Sequence, residues 1–126
     1  MDTNEKQNGN SPETSPTWEW LGAGSRYRLK GNSPSVTVVL GWDRPLSTYF
    51  AQVWDVPERA GHHEEGALLL WAGCGWQELP DTNDLVDILE PHAAVPRDLL
   101  DVLTADMVAT TLGLRPYFEL QQMKGN

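Results

Sequence analysis

The sequence predicts an α+β fold: a four-stranded, mostly antiparallel sheet of consecutive strands (a meander), followed by two or three helices packed on one face. Two observations lead to this prediction. Up to Ala72, short runs of β-branched and aromatic residues are separated by clusters of Gly, Asn, Pro and Ser, which is typical of strands joined by turns. From Pro80 onward, apolar residues recur instead at the spacing of an amphipathic helix.

The length of 126 residues suits one domain with a single core. Residues 1–17 contain no apolar side chain after Met1, so they cannot bury enough surface to offset the entropy of ordering them. We therefore predict a disordered N-terminal tail at 1–17, a single α+β domain at 18–120 and a frayed C-terminus at 121–126.

Four segments have the character of strands. Residues 25–30 alternate basic with apolar side chains, as a half-buried strand does, and residues 35–42 and 47–56 form the second and third strands. The fourth, at 67–73, is apolar on both faces, so we expect it inside the sheet or covered by helices. Residues 18–21 precede these strands, and their two tryptophans share one side if the segment is extended.

Two helices follow. The first covers 81–90, with Asp81 as its N-cap and acidic residues in the first turn. The second covers 97–113, between Pro96 and a C-capping Gly113, and Thr104 allows a division into two shorter helices. We expect its inward face to consist of Leu99, Leu100, Leu103, Met107 and Leu112. A further short strand is allowed at 117–120.

The formal net charge of −9 is unevenly distributed, since residues 81–106 carry −6 and residues 25–56 carry +2. Five aspartates alternate with the apolar positions of the helical segment and are expected to face outward: Asp84, Asp87, Asp98, Asp101 and Asp106. Such a surface is either simply solvated or a contact site for a basic protein. A homodimer is the other partner considered, because the basic strand at 25–30 complements the acidic helices of another copy.

Charge and composition also argue against several classes of partner. A net negative charge repels phosphate, and the sequence lacks the usual nucleic-acid-binding motifs, so no direct nucleic-acid binding is expected. No apolar run is long enough for a membrane span, and we expect no membrane contact. The start of the chain lacks a basic and apolar signal segment, and the single cysteine excludes an internal disulfide; both favour a cytoplasmic location.

The dipeptide Trp-Asp occurs twice, at 42–43 and 54–55. The copies are far too close for propeller blades, which repeat about every 40–45 residues. Around the first copy, Trp42, Asp43 and Arg44 are candidate binding residues, because they offer an aromatic ring and a forked donor. The alternative is an ordinary turn set by Asp43 and Pro45.

Cys74 and the histidine pair His62–His63 are the remaining candidates for a catalytic or metal site. Cys74 is a weak candidate nucleophile with His62 or His63 as its base, although a single cysteine after an apolar strand is more often a small buried side chain. His62 and His63 are also weak candidate metal ligands, but their spacing fits neither a structural zinc site nor a helical HExxH motif. No cofactor and no functional metal are predicted.

The sequence thus favours a small, non-enzymatic, cytoplasmic protein–protein interaction module with an acidic helical surface. The negative charge of that surface would allow it to occupy a basic surface of its target. The alternative is a small-ligand-binding or Cys-dependent enzymatic domain with a pocket between sheet and helices.

Overall fold

The computed structural model describes residues 17–56 and 66–124 of the chain. They form five antiparallel strands in sequence order followed by three helices. The strands are β1 (Trp18–Trp20), β2 (Arg26–Lys30), β3 (Val36–Asp43), β4 (Thr48–Asp55) and β5 (Ala67–Ala72), and the helices are α1 (Thr82–Leu89), α2 (Arg97–Thr111) and α3 (Tyr117–Lys124). The predicted α+β class with an antiparallel sheet is confirmed. The sheet has five strands rather than four, because Trp18–Trp20 pairs with β2.

Alternation along the strands separates an inner face, packed on the helices, from an outer face. The inner face contains the buried side chains Tyr27, Leu29, Val38, Leu40, Tyr49, Ala51 and Val53. The helices contribute Leu85, Leu89, Leu99 and Leu103 to the same core. Each buried leucine or valine stabilises the fold by about 1.5–3 kcal/mol relative to an exposed position. Strand and helix side chains form one cluster, so the core lies between the sheet and the helices.

Helix α1 begins with a capping box. The Asp81 carboxylate accepts from the backbone N–H of Asn83 at 2.9 Å, and the Asp84 carboxylate accepts from the backbone N–H of Asp81 at 3.2 Å. These bonds satisfy N–H groups that a helix start leaves without partners. The predicted N-cap is therefore present, and it fixes where the chain turns from sheet to helix.

Helix α2 is one continuous element and is not divided at Thr104. The Thr104 hydroxyl donates to the Leu100 carbonyl at 3.0 Å, within the helix. Leu112 lies beyond the last turn and is 70% exposed, so its predicted place on the inward face is wrong. Gly113 follows at φ +83°, a left-handed conformation that favours glycine and ends the helix.

The short strand allowed at 117–120 is instead the start of α3. The backbone N–H of Tyr117 donates to Asp106 Oδ1 at 2.7 Å, and Leu120 N donates to the Pro116 carbonyl at 2.9 Å. Both bonds stabilise a first helical turn. The aromatic ring of Phe118 then packs among Trp18, Trp20 and Tyr27, contacts that alternation within 117–120 does not reveal.

Strand β5 lies at the edge of the sheet and pairs only with β4 among the described strands. The expectation of a strand inside the sheet or covered by helices is therefore wrong. Its inner side chains Leu70 and Ala72 contact the core, whereas Leu68, Leu69 and Trp71 are exposed. The continuous apolar run reflects an exposed outer face rather than burial on both faces.

None of the described helices is both long enough and apolar enough to cross a lipid bilayer.

Candidate functional site

A cleft of about 450 Å³ lies where the β2–β3 turn meets the helical layer. It is lined by Asn32, Val86, Asp87, Glu90, Ala93, Ala94 and Val95. Carboxylates therefore stand beside an apolar floor of valines and alanines. This combination fits a side chain that has an aliphatic stem and a cationic head.

Backbone hydrogen bonds hold the walls of this cleft together. Asn32 N, in the β2–β3 turn, donates to the His92 carbonyl in the α1–α2 connection at 2.8 Å. Ala93 N donates to the Leu89 carbonyl at 2.8 Å, which continues the last turn of α1 into that connection. Because Leu89 and Ala93 are buried in the core, the cleft rests on packed side chains.

Asp87 and Glu90 are three residues apart and both are exposed. Residues at this spacing lie on the same face of a helix. Within residues 17–56 and 66–122, no basic side chain lies within salt-bridge distance of either carboxylate. Asp87 was among the predicted binding residues; Glu90 was not, although its spacing from Asp87 is a readable signal.

The other predicted helical carboxylates have different partners. Asp84 belongs to the capping box of α1. Asp98 accepts from the Trp18 indole N–H at 3.1 Å and from the Leu99 backbone N–H at 2.9 Å. Asp101 lies 3.9 Å from the Arg97 guanidinium, an exposed pair of the kind that contributes little to stability. The structure does not place Asp84, Asp98 or Asp101 among the residues that line the cleft.

Asp106 does not face outward with the other aspartates; this expectation is wrong. It is fully buried, and its Oδ2 accepts from the Ser25 hydroxyl at 2.7 Å and from the Tyr27 hydroxyl at 2.5 Å. Burial, followed by the bond to Asp106, raises the pKa of Tyr27 above its usual value. A buried carboxylate needs such donors. Through its hydrogen bonds, Asp106 of α2 links β2 and α3.

The bend at 42–44 separates its three candidate residues. Trp42 belongs to the inner face and packs edge-on against Tyr49, with ring centroids 4.7 Å apart. Asp43 accepts from the Leu46 backbone N–H at 3.2 Å, which closes the turn, and Arg44 is exposed. Each residue has a local place in the β3–β4 hairpin, and the Trp42 ring is largely removed from solvent.

Cys74 is exposed, in the turn that follows β5. Glu78 organises this turn, because its carboxylate accepts from the backbone N–H groups of Gly73, Cys74 and Gly75 at 3.0–3.1 Å. These bonds, that to Gly73 foremost, lower the pKa of Glu78. The turn also requires glycine at Gly73, where φ is +83° and a side chain would meet the Tyr49 carbonyl.

A hollow of about 250 Å³ beside Cys74 includes Arg26, Phe50 and Trp71 among its lining residues. It opens on the outer face of the sheet, not between sheet and helices, and no histidine is among the described residues that line it. His62 and His63 lie outside the described residues, as do residues 1–16 of the predicted tail. Within the described residues, no group of three His, Cys, Asp or Glu side chains is placed to hold a metal ion.

The outer face of the sheet carries basic side chains on β2 and aromatic ones on β4 and β5. The strand register aligns Arg28 with Val39, Gln52 and Trp71 across the sheet. Arg28 is paired with Glu19 at 2.7 Å, and the Arg26 guanidinium lies 5.4 Å from the centre of the Phe50 ring. The net positive charge of this face is thus separated from the acidic helical layer by the thickness of the sheet.

No family model matches the chain, and neither the curated proteins nor the solved structures contain a match to it.

Proposed function

We propose that this protein is a small interaction module that binds a basic segment of a partner protein at the cleft beside Asp87 and Glu90. The observation that carries the proposal is the pairing of these two carboxylates with an apolar floor in one cleft. A lysine or arginine side chain of the partner fits there, with its methylene stem on Val86 and Val95 and its charged head between the carboxylates.

The charge around the cleft supports a cationic ligand. Residues 81–106 carry a formal charge of −6, and Arg97 is the only Lys or Arg among them. Exposed carboxylates on α1 and α2 attract a basic segment over about a Debye length, roughly 8 Å at physiological salt. The cleft then supplies the short-range contact, so the surrounding aspartates affect the rate of association more than the final affinity.

The alternative function, a ligand-binding or Cys-dependent domain, has weaker support. The hollow beside Cys74 offers an arginine and two aromatic rings, but no histidine from the described residues. Catalysis by a cysteine commonly uses a histidine as general base, and the described residues that line this hollow include a cation, Arg26, but no histidine for that role. The non-enzymatic function therefore remains the better proposal.

Fluorescence anisotropy with a fluorescein-labelled peptide in which Lys alternates with Ala tests the proposal. The Asp87→Asn variant should weaken binding about fivefold, which corresponds to about 1 kcal/mol, the upper end for an ion pair at an exposed carboxylate. Raising the salt concentration from about 0.05 M to about 0.3 M should also weaken binding of the wild-type protein at least about fivefold.

Asp101→Asn is the matched control, because it removes the same charge from an exposed position that does not line the cleft. It should change the affinity less than about twofold, since an exposed charge is screened. Equal losses in the two variants would show that only net charge matters and would overturn the cleft as the site. Absence of peptide binding, or binding insensitive to salt, would overturn the electrostatic proposal itself.

A further inference from the structure

Strand β5 presents an apolar edge. It is the last strand of the sheet, and its exposed side chains are Leu68 at 41%, Leu69 at 48% and Trp71 at 59% exposure. An edge strand also leaves backbone N–H and C=O groups without partners on its outer side. Large apolar side chains beside a row of such groups are typical of a strand that pairs with another chain.

A β-bulge explains why three consecutive positions contribute so much exposed surface. Val53 pairs with Leu70, but the next residue of β4, Trp54, pairs with Leu68, so Leu69 is an extra residue. Beyond the bulge, the alternation of faces shifts by one residue. Leu68 is thereby brought to the outer face, where Trp71 already lies opposite Gln52.

The edge has a β-bulge but lacks the charged residues and prolines that also prevent pairing. Proteins protect exposed edges with Lys, with Pro, with inward-pointing charges or with β-bulges. Between Gly66 and Gln77 the sequence contains no charged residue and no proline. In a chain with a net charge of −9, this is a surface that a second identical molecule can approach without opposing like charges.

We propose that β5 pairs with β5 of a second copy in an antiparallel, two-fold symmetric dimer. With the strand centred on the axis, Leu68 lies opposite Trp71 of the second copy, and Ala67 lies opposite Ala72 of the second copy. The faces match at the two outer pairs, because Leu68 and Trp71 share the outer face while Ala67 and Ala72 share the inner one. At the centre, the bulge residue Leu69 lies opposite Leu70 of the second copy and interrupts the alternation there. Both sheets join into one continuous sheet.

The remaining segments of the same chain are poorer occupants of this edge by composition. Residues 2–16 contain no Leu, Ile, Val, Phe or Trp. Six of the nine residues at 57–65 (PERAGHHEE) are charged residues or histidines. Neither segment offers an apolar match for Leu69 and Trp71. An acidic partner protein is also a poor occupant, because its charges would lose water beside an uncharged strand without gaining an ion pair.

The size of the contact predicts a weak dimer. The exposed parts of Leu68, Leu69 and Trp71 amount to roughly 350 Å² per copy, so a pair buries less than the roughly 1,200 Å² of a standard stable interface. We expect a dissociation constant on the order of 10–100 μM for such a small contact.

Sedimentation equilibrium of the full chain from about 1 to about 200 μM tests the proposal over this range. The wild-type protein should pass from monomer to dimer, and Leu69→Lys should raise the dimer dissociation constant at least about tenfold, because it places a like charge next to its copy. Trp71→Lys should also raise the dimer dissociation constant, because it replaces the apolar contact with Leu68 of the second copy by a charge. Far-UV circular dichroism checks that both variants fold.

Leu112→Lys is the matched control, because it makes the same change at a leucine that is 70% exposed beyond the end of α2. It should leave the dissociation constant within about twofold, since surface changes away from an interface have little effect. A monomeric wild-type protein throughout the range would overturn the proposal, as would equal effects of Leu69→Lys and Leu112→Lys.

Salt separates this proposal from the proposed function. Screening reduces repulsion between two molecules of charge −9, so the dimer should tighten or stay unchanged as salt rises, whereas peptide binding at the cleft weakens. Asp87→Asn should also leave the dimer intact. A dimer that dissociates at high salt would show electrostatic association and would overturn the β5 contact.

Discussion

Asp106 shows how much a single residue determines in this fold. Its carboxylate accepts from Ser25 and Tyr27 through Oδ2 and from the Tyr117 backbone N–H through Oδ1. The Ser25 hydroxyl accepts in turn from the Trp42 backbone N–H at 3.0 Å. Four segments of the chain therefore meet at one buried carboxylate, which is a structural centre and not part of the acidic surface.

Replacement Asp106→Ala should lower the free energy of unfolding by about 3–5 kcal/mol, because it leaves the Ser25, Tyr27 and Tyr117 donors without their acceptor, at about 1–3 kcal/mol for each one left unsatisfied. Urea denaturation followed by tryptophan fluorescence measures this loss. Asp101→Ala, on the exposed side of the same helix, is the control and should cost no more than about 0.5 kcal/mol. Ser25→Ala removes one donor to Asp106 and the acceptor of the Trp42 N–H, and it should cost about 1–3 kcal/mol, which keeps the test valid if Asp106→Ala fails to fold. Comparable losses in Asp106→Ala and Asp101→Ala would contradict the role of Asp106.

The misplacement of Asp106 in the sequence-based prediction has a physical reason. On α2 it lies seven residues after Leu99 and three after Leu103, so helical spacing places it on the buried face with them. The prediction grouped it with the other aspartates, because an aspartate is rarely buried unless it has partners. Those partners, Ser25 and Tyr27, lie about eighty residues earlier in the chain. A pattern within one helix contains no information about such distant donors.

At the scale of elements, α3 and β1 stabilise each other. Phe118 stacks on Trp20 with ring centroids 5.6 Å apart and meets the edges of Trp18 at 6.1 Å and Tyr27 at 6.0 Å. Glu119 also accepts from the Gly24 backbone N–H, in the turn between β1 and β2, at 2.5 Å. The first strand and the last helix are thus one unit, although they are the two ends of the described chain.

Phe118→Ala should lower the free energy of unfolding by about 2–3 kcal/mol, below the range for a fully buried phenylalanine because Phe118 is partly exposed. The near-UV circular dichroism of the two tryptophans should decrease with it. Leu114→Ala, just before α3 and more exposed, should change stability by less than about 0.5 kcal/mol. An unchanged near-UV spectrum in Phe118→Ala would show that the aromatic cluster does not order the tryptophans.

Sequence patterns predicted the central elements and missed the peripheral ones. β2, β3, β4, α1 and α2 all lie near their predicted places, because each buries one face of a regular pattern. β1 is short, and its pairing depends on β2 rather than on its own pattern. The aromatic residues within 117–120 are compatible with a strand, but contacts with distant aromatic rings and the bond from Tyr117 to Asp106 select a helix.

The cleft was predicted only in part, for the same kind of reason. The acidic helical segment and Asp87 are visible in the sequence, but the role of Asn32 depends on a backbone bond to His92, sixty residues away along the chain. The apolar character of β5 was also visible. Its position at the edge was not, because a doubly buried strand and an exposed apolar strand have the same composition.

At the scale of the whole molecule, the core tyrosines connect stability to alkaline pH. Burial raises the pKa of Tyr49 to about 12 from 10.0, and Tyr27 shifts in the same direction. A group whose pKa is higher in the folded state stabilises the fold below its unfolded pKa, and this contribution is lost as pH rises towards the folded value.

The free energy of unfolding should therefore fall as pH rises above about 10, measured by urea denaturation at several pH values. In Tyr49→Phe this fall should be less steep, because one of the titrating groups is gone; its hydroxyl makes only a long bond to the Leu103 carbonyl, at 3.4 Å. Parallel pH profiles in the two proteins would rule out Tyr49 as a source of the alkaline loss.

The meander has a kinetic consequence. Every strand pairs with its neighbour in sequence, so the β3–β4 hairpin closes a short loop, which is fast and costs little entropy. The bonds from Trp18 to Asp98 and from Gly24 to Glu119 instead close loops of most of the chain. We therefore expect folding to begin in the middle of the sheet, with both ends of the domain joining last.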